Sequence, residues 1–275
     1  MIDNFKDQII NGVQFQRAAN YIVGPDIRDT FKSSDKVQVI WCRPDYIDLV
    51  FEQCRNTEGK FILITHCSDI EINEEYFKRK PSNIIKWFAQ NISYSHPDLH
   101  CIPIGLESHR GPYRGDYTNF EWLFNNIKPE PISNKIINKI YCNFSLNTNK
   151  KRIQILHSLY NHDMCIHEQG KNYIDYCSSV KQFLFIASPR GNGIDCHRTW
   201  EALYLGSIPI VEKSYCLDSL IDGLPVIAIN DWNDKEELKS KMNEYVELYK
   251  KGEAFKNVDK LKIDYWLEKI RKEVN

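Results

Sequence analysis

The chain has 275 residues, enough for one large domain or two of ordinary size, and its 42% hydrophobic and 12% aromatic content predicts packed cores. Its 36 basic and 37 acidic residues give a formal net charge of −1. This balance argues against nucleic acid as the main partner, because nucleic-acid binders carry a basic excess or stripe. A single small anionic ligand is compatible with it.

The nine cysteines predict a reducing compartment. Their number is odd, no C-x-x-C pair occurs, and several lie in apolar runs where cysteine acts as a small hydrophobe, which also argues against a zinc site. The start of the chain, MIDNFKDQIINGVQF, lacks the basic and apolar regions of a signal peptide. No apolar run is long enough to cross a bilayer. We therefore expect a soluble, cytoplasmic protein without a membrane span.

In the first half, short apolar runs alternate with helical patterns. The predicted strands are Val37–Cys42, Phe61–Thr65 and Cys101–Ile104, and the predicted helices are Tyr46–Arg55 and Ile84–Asn91. A stretch with two prolines and no apolar periodicity, Lys128–Lys135, predicts a linker.

After the linker the alternation restarts. The predicted strands are Lys139–Phe144, Met164–His167, Phe183–Ala187, Ser207–Val211 and Leu224–Ile229, and the predicted helices are Lys150–Leu159, Cys196–Leu205, Lys235–Lys251 and Val258–Val274. Continuous apolar strands that alternate with helices indicate parallel sheets covered on both faces. The sequence thus predicts an α/β fold of two Rossmann-like domains that face each other across a cleft. Residues 1–130 and 131–260 would form these domains, and residues 261–275 a helix that returns to brace the first.

The densest pattern follows the strand at 183–187. Polar and glycine residues fill this turn, namely Ser188, Arg190, Gly191, Asn192 and Gly193. Glycines at a strand end allow backbone conformations closed to other residues and the close approach of a ligand. A helix start follows, with N–H groups available to an anion and with Asp195 as its expected N-cap. The unit is therefore suited to phosphate.

The first turns of this helix carry His197, Arg198 and Glu201. Cations at a helix start oppose the helix dipole, and a bound diphosphate would compensate them. For Arg198 the alternative is a surface pair with a carboxylate. Glu201 lies on nearly the same face, where it can accept both hydroxyls of a ribose or simply pair with Arg198. Trp200 is expected in the core, and Gly206 is expected to end the helix.

The string SPRGNGIDCHRTWEALYLGSIPIV, residues 188–211, resembles the C-terminal signature of exostosin-like glycosyltransferases, most closely the ribitol xylosyltransferase branch. Weaker similarity covers ILITHCSD, KWFAQN, IPIGLES and YCNFSLNTNKKR. The resemblance implies a glycosyltransferase-B fold whose second domain binds a UDP-sugar, with UDP-xylose favoured, and whose first domain binds an acceptor glycan. It also implies that Arg198 binds the diphosphate and Glu201 the ribose.

Polar residues at other strand ends complete the predicted site. Asn143 and Ser145, with Arg152 in the next helix, are expected to contact the donor, although an N-cap and a solvated basic turn would explain them as well. For the base that accepts the proton of the acceptor hydroxyl, Asp69 is the first candidate and His66 the second, with loop ordering as the alternative. The candidates for binding the acceptor are Asp45, Glu107 and Arg110.

These residues favour an inverting transferase. A metal ion is not expected, because no D-x-D motif occurs to hold a cation on the diphosphate. A retaining transferase of the same fold and a catalytically inactive sugar-nucleotide-binding protein are the alternatives. A Rossmann dehydrogenase is disfavoured, since no G-x-G-x-x-G follows an N-terminal strand.

Overall fold

The computed structural model describes residues 8–107 and 130–274. The predicted α/β class is confirmed by two parallel sheets of five strands each. The strands of the first sheet are β1 (Tyr21–Val23), β2 (Gln38–Cys42), β3 (Phe61–Thr65), β4 (Ile84–Ala89) and β5 (Leu99–Cys101). Those of the second are β6 (Ile136–Cys142), β7 (Cys165–His167), β8 (Phe183–Ala187), β9 (Ile208–Glu212) and β10 (Ile227–Ile229).

The helices connect these strands and cover the sheets. They are α1 (Gly12–Phe15), α2 (Ile47–Arg55), α3 (Glu74–Lys78), α4 (Lys151–Asn161), α5 (Tyr173–Gln182), α6 (His197–Tyr204), α7 (Tyr215–Ile221), α8 (Lys235–Lys250) and α9 (Ile263–Lys272). Short 3-10 turns lie at Gln16–Ala18, Pro44–Tyr46, Ile132–Asn134 and Asp259–Leu261.

The two sheets differ in strand order. The first sheet follows the chain, β1-β2-β3-β4-β5, whereas the second has the order β10-β9-β8-β6-β7. The second order reverses between β6 and β8, as in flavodoxin-like sheets, so the carboxyl ends of these two strands flank a crevice. Ligands of open parallel sheets bind at such a reversal. The fold therefore singles out the segments after Cys142 and after Ala187.

One predicted helix is wrong. The segment Ile84–Asn91 is strand β4, which pairs in parallel with β3 on one side and β5 on the other. A buried central strand needs apolar residues on both faces, so a short apolar run cannot be distinguished from a buried helix by periodicity. The strand expected at Cys101–Ile104 lies earlier, at Leu99–Cys101, and helices α5 and α7 were not predicted.

Helix α6 ends as its sequence predicts. Gly206 adopts a left-handed backbone with φ of 71°, which a glycine reaches without strain. Its N–H donates to Leu203 O at 3.1 Å, and the N–H of Ser207 donates to Ala202 O at 2.8 Å. These two bonds form a Schellman motif, which satisfies the last carbonyls of the helix and directs the chain into β9.

One apolar cluster spans the two halves, and the second sheet has a further cluster of its own. Trp200, buried as predicted, and Leu220 from the second half pack in the same cluster as the first sheet. The last helix joins them, because Ile263 N donates to Gln8 O at 2.7 Å and Gln8 Nε2 donates to Asp264 at 2.7 Å. Within the described residues, no helix has both the length and the apolar character needed to cross a membrane.

Candidate functional site

The carboxyl ends of both sheets meet along a seam, formed by 68–71, 91 and 104–107 of the first half and by 190–197 of the second. Across it, Ile104 N donates to Asp195 Oδ2 at 2.8 Å. Ile194 N donates to Asn91 Oδ1 at 2.8 Å. The loop after β8 therefore bridges the two halves and brings most of the predicted site residues to one region.

Two guanidinium groups flank the aromatic ring of Phe144 at the strand-order reversal. The Cζ atoms of Arg152 and Arg198 lie 5.5 and 5.7 Å from the ring centre. Neither arginine forms an ion pair within residues 8–107 and 130–274. Burial lowers the pKa of Arg152, and the positive charge of Arg198 lowers it further. Two neighbouring cations without a carboxylate form a site suited to an anion.

Arg152 also shapes the loop beside this site. Its Nε donates to Arg190 O at 3.0 Å, its Nη1 to Ser145 O at 3.0 Å and its Nη2 to Pro189 O at 3.1 Å. Each Nη atom carries a second N–H group. The buried guanidinium is thus solvated by three carbonyls and holds the ends of β6 and β8 together.

Arg198 is more open to a ligand than Arg152. It is half-buried, and its Nε donates to Asn143 O at 2.9 Å. No residue of the described part of the chain accepts a hydrogen bond from its two Nη atoms. Arg198 lies in the first turn of helix α6. The N-cap residue of this helix, Cys196, makes no side-chain capping bond. Uncapped N–H groups at a helix start attract the same negative charge as the guanidinium does.

The glycines of the loop are explained by contacts within the protein. Neither Gly191 nor Gly193 has a positive φ, so the expectation of a special backbone conformation is wrong. A Cβ at Gly193 would lie 2.6 Å from Nδ2 of Asn91, and one at Gly191 would lie 3.2 Å from Nη2 of Arg152. Both positions are therefore restricted to small residues by side chains that press on the loop.

The predicted N-cap role of Asp195 is also wrong. Its buried carboxylate accepts hydrogen bonds from Ile104 N at 2.8 Å, from Cys196 N at 2.8 Å and from Trp200 Nε1 at 2.8 Å. Burial raises the pKa of Asp195 to about 6, although these three donors act to lower it. Asp195 therefore joins the segment after β5 of the first half to helix α6 of the second.

Replacing Asp195 with alanine is expected to destabilise the protein by about 3 kcal/mol or more, because three N–H groups lose their acceptor, two of them buried, and each buried donor left without an acceptor costs about 1–3 kcal/mol. Urea unfolding at pH 7 measures this, with exposed Asp45→Ala as the control. Since the pKa of Asp195 is raised in the folded state, its contribution to stability falls as pH rises from about 4 to about 6. The cost should therefore be larger at pH 4 than at pH 7, and a cost below about 1 kcal/mol at both would contradict this role.

His197 contacts the first half rather than facing the diphosphate site. Its Nδ1–H donates to Gly105 O at 2.7 Å, and its Nε2 lies 3.2 Å from Oε2 of Glu107. Burial lowers the pKa of His197, but the hydrogen bond and charge of Glu107 outweigh this, so the pKa is raised overall. The positive charge expected to need a diphosphate is thus balanced by a carboxylate across the seam.

Glu201 is buried one turn along helix α6. Its Oε2 accepts a hydrogen bond from the hydroxyl of Tyr176 at 3.0 Å. Burial and the charge of Glu201 raise the pKa of Tyr176 well above its usual range, so the tyrosine remains a donor. Glu201 forms no ion pair with Arg198, which removes the pairing considered as its alternative role.

A cavity of about 300 Å³ opens at the carboxyl ends of the first sheet. Its lining includes four of the predicted site residues, namely His66, Asp69, Glu107 and His197. Trp41 and Gln90 add an aromatic face and an amide. Carboxylates, amides and an indole in one pocket suit a ligand with several hydroxyl groups.

The two candidate bases differ in their surroundings. His66 is buried, its Nδ1 accepts a hydrogen bond from Cys67 N at 2.8 Å, and its Nε2–H donates to Pro103 O at 3.0 Å. These bonds fix its tautomer and engage both ring nitrogens in the turn after β3. Asp69 is exposed and accepts a hydrogen bond from Nδ2 of Asn192 at 3.3 Å across the seam. Of the two, Asp69 is the side chain that a substrate hydroxyl can reach.

The remaining candidates lie in different surroundings. Ser188 is engaged locally, through a hydrogen bond of 2.9 Å to Thr199 Oγ1, whereas Arg190 forms an ion pair of 3.6 Å with Glu71 across the seam. Asp45 pairs with Arg43 at 3.1 Å and does not line the cavity. Arg110 lies outside the described residues. The side chain of Asn143 donates to the Tyr141 hydroxyl at 3.1 Å, and that of Ser145 is exposed, with its carbonyl on Arg152.

Three contributors were missed by sequence reasoning: Asn91, Phe144 and Tyr176. Phe144 and Asn91 lie in the segments YCNFSLNTNKKR and KWFAQN, but their roles depend on side chains brought together by the fold.

Among the described residues, no group of three or more His, Cys, Asp and Glu side chains is arranged to hold a metal ion. Comparison with models of known protein families gives no match to this chain, and comparison with curated proteins gives no significant relative.

Proposed function

We propose that this protein is a glycosyltransferase that moves a sugar from a nucleotide diphosphate to a hydroxyl of an acceptor glycan. Residues 131–260 would bind the donor, residues 1–130 the acceptor, and residues 261–275 would brace the first unit. The expected setting is the cytosol, where the nine cysteine thiols would remain reduced. The similarity of residues 188–211 to exostosin-like enzymes makes UDP-xylose the first donor to test.

The observation that carries this proposal is the pair of arginines at the strand-order reversal. A diphosphate there would receive hydrogen bonds from the Nη atoms of Arg198 and from N–H groups at the start of helix α6. Arg152, which is buried against the loop after β8, would add positive charge. This arrangement would stabilise the negative charge of the leaving diphosphate, so the proposed reaction requires no metal ion.

Glu201 and the cavity of the first half supply the other parts of the reaction. The Glu201 carboxylate, oriented by Tyr176, would accept hydrogen bonds from the ribose hydroxyls. In the cavity, Asp69 would take the proton of the acceptor hydroxyl, whose oxygen then attacks the anomeric carbon as the bond to the diphosphate breaks. A direct attack of this kind inverts the anomeric configuration.

A thermal-shift panel tests the proposed donor class. A ligand that binds only the folded state raises the melting temperature. At a ligand concentration of a hundred times its dissociation constant, the free energy of unfolding rises by about 2.7 kcal/mol. We expect UDP and UDP-xylose to raise the melting temperature, and NAD and ATP to leave it unchanged. Absence of a shift with every uridine nucleotide would contradict the proposal.

A protein that binds a sugar nucleotide without transferring the sugar is the second candidate. The hydrogen bond from Asn192 to Asp69 Oδ2 favours it, because that bond engages one oxygen of the carboxylate that would act as base. The two candidates differ in one measurement. Binding of UDP-xylose without hydrolysis or transfer to any acceptor would support the second candidate, whereas either reaction would exclude it.

A further inference from the structure

Asn91 occupies an unusual position two residues beyond the end of β4. It is fully buried, and its φ of 57° places it in the left-handed region that favours glycine. Asparagine tolerates this conformation better than most residues do, since its short side chain can hydrogen-bond nearby backbone. Its backbone carbonyl accepts a hydrogen bond from Ile72 N at 2.9 Å, which anchors the residue in the first half.

The side-chain amide of Asn91 joins the two halves of the molecule. Its Oδ1 accepts hydrogen bonds from Ile194 N at 2.8 Å and from Asp195 N at 3.1 Å, both in the loop before helix α6. Its Nδ2 donates to Ser68 O at 3.3 Å, next to Asp69. One amide therefore touches the loop that leads to Arg198 and the loop that carries Asp69.

The fit between Asn91 and the second half is tight. A Cβ at Gly193 would lie 2.6 Å from Nδ2 and 2.8 Å from Oδ1 of Asn91, closer than side-chain atoms can approach. Gly193 thus lets the loop rest directly on the amide. Close packing as well as hydrogen bonds therefore defines this contact. A larger residue at position 91 or at position 193 would separate the two loops.

We propose that Asn91 is a positioning residue that sets the separation between the donor loop of the second half and Asp69 of the first. This inference rests on the glycosyl transfer proposed above. With the amide in place, the acceptor hydroxyl beside Asp69 and the anomeric carbon of the donor are held in reach of each other, and water is kept from the donor. Without it, the donor site remains but the two substrates are no longer held together.

The variant Asn91→Gly removes the side chain while keeping a residue that accepts the left-handed backbone. Gly193→Ala disturbs the same contact from the other side, and it carries the test if Asn91→Gly does not fold. The matched control is Asp163→Gly, because Asp163 also has a positive φ, of 51°, but is exposed and lies away from the seam. Two quantities are measured on the full chain: the ratio of sugar transfer to hydrolysis of UDP-xylose, and hydrogen exchange of the Ile194 and Asp195 amides.

We expect Asn91→Gly and Gly193→Ala to lower the transfer-to-hydrolysis ratio at least tenfold, and Asn91→Gly to accelerate exchange of the two amides at least tenfold. Asp163→Gly should match the original protein in both. A parallel loss of transfer and hydrolysis, with an unchanged ratio, would indicate a merely structural role and overturn the inference. If the original protein neither transfers nor hydrolyses any sugar nucleotide, the proposed function fails, whereas unchanged amide exchange in Asn91→Gly contradicts the positioning contact itself.

Discussion

Replacing Asp69 with asparagine is expected to lower the turnover of sugar transfer by about 10²–10⁴-fold, the range typical of losing a general base. The amide has nearly the shape of the carboxylate but cannot take the proton of the acceptor hydroxyl. The dissociation constant of UDP should not change, because Asp69 lies on the first half and the diphosphate site on the second. Steady-state kinetics with UDP-xylose and a titration with UDP measure the two quantities.

The matched control is Asp45→Asn, since Asp45 is also an exposed carboxylate of the first half but pairs with Arg43 and does not line the cavity. This variant should retain the original turnover. Near-normal turnover of Asp69→Asn would reject Asp69 as the base. Glu107, which lines the same cavity, would then be the next carboxylate to replace.

The second large effect is expected at Arg198. Its replacement with alanine should raise the dissociation constant of UDP by about 10–100-fold, because a hydrogen bond to a charged group contributes about 1.5–3 kcal/mol and each 1.4 kcal/mol is a factor of ten. The hydrogen bond from its Nε to Asn143 is lost as well, which loosens the segment after β6. Quenching of tryptophan fluorescence by UDP measures the affinity.

Two further variants separate the roles of charge and geometry. Arg198→Lys keeps the positive charge but loses the planar fork that fits a phosphate, so its affinity should fall between those of alanine and arginine. Lys151→Ala removes an exposed cation next to Arg152 and should leave the affinity unchanged. An equal loss of affinity in Lys151→Ala and Arg198→Ala would indicate general attraction by the surface charge rather than a built site.

Much of the fold follows from local sequence patterns. Phe61–Thr65 and Phe183–Ala187 were predicted at their observed bounds, because continuous apolar runs between polar turns indicate buried parallel strands. The segment Ile84–Asn91 was assigned to a helix because eight residues with mixed periodicity fit both structures. Only its pairing with β3 and β5, which depends on distant parts of the chain, distinguishes a strand from a helix here.

The candidate site was predictable in its residue types but not in its contacts. The charges of His197 and Arg198 at a helix start indicate an anion, yet Glu107 balances His197, whereas the Nη atoms of Arg198 have no acceptor in the described residues. The reversal of strand order between β6 and β8 likewise depends on which strands pair, and no local pattern reports it. The glycines at 191 and 193 are evident in the sequence, but their neighbours, Arg152 and Asn91, come from elsewhere in the fold.

Calorimetric titration of the full chain with uridine, UMP and UDP tests the proposed diphosphate site, because Arg198, Arg152 and the start of helix α6 would contribute most of the donor affinity through the diphosphate. Affinity should rise in that order. UDP should bind at least tenfold more tightly than UMP, and this advantage should disappear in Arg198→Ala. Equal affinities for the three ligands, or no heat of binding with UDP, would contradict a diphosphate site at Arg198.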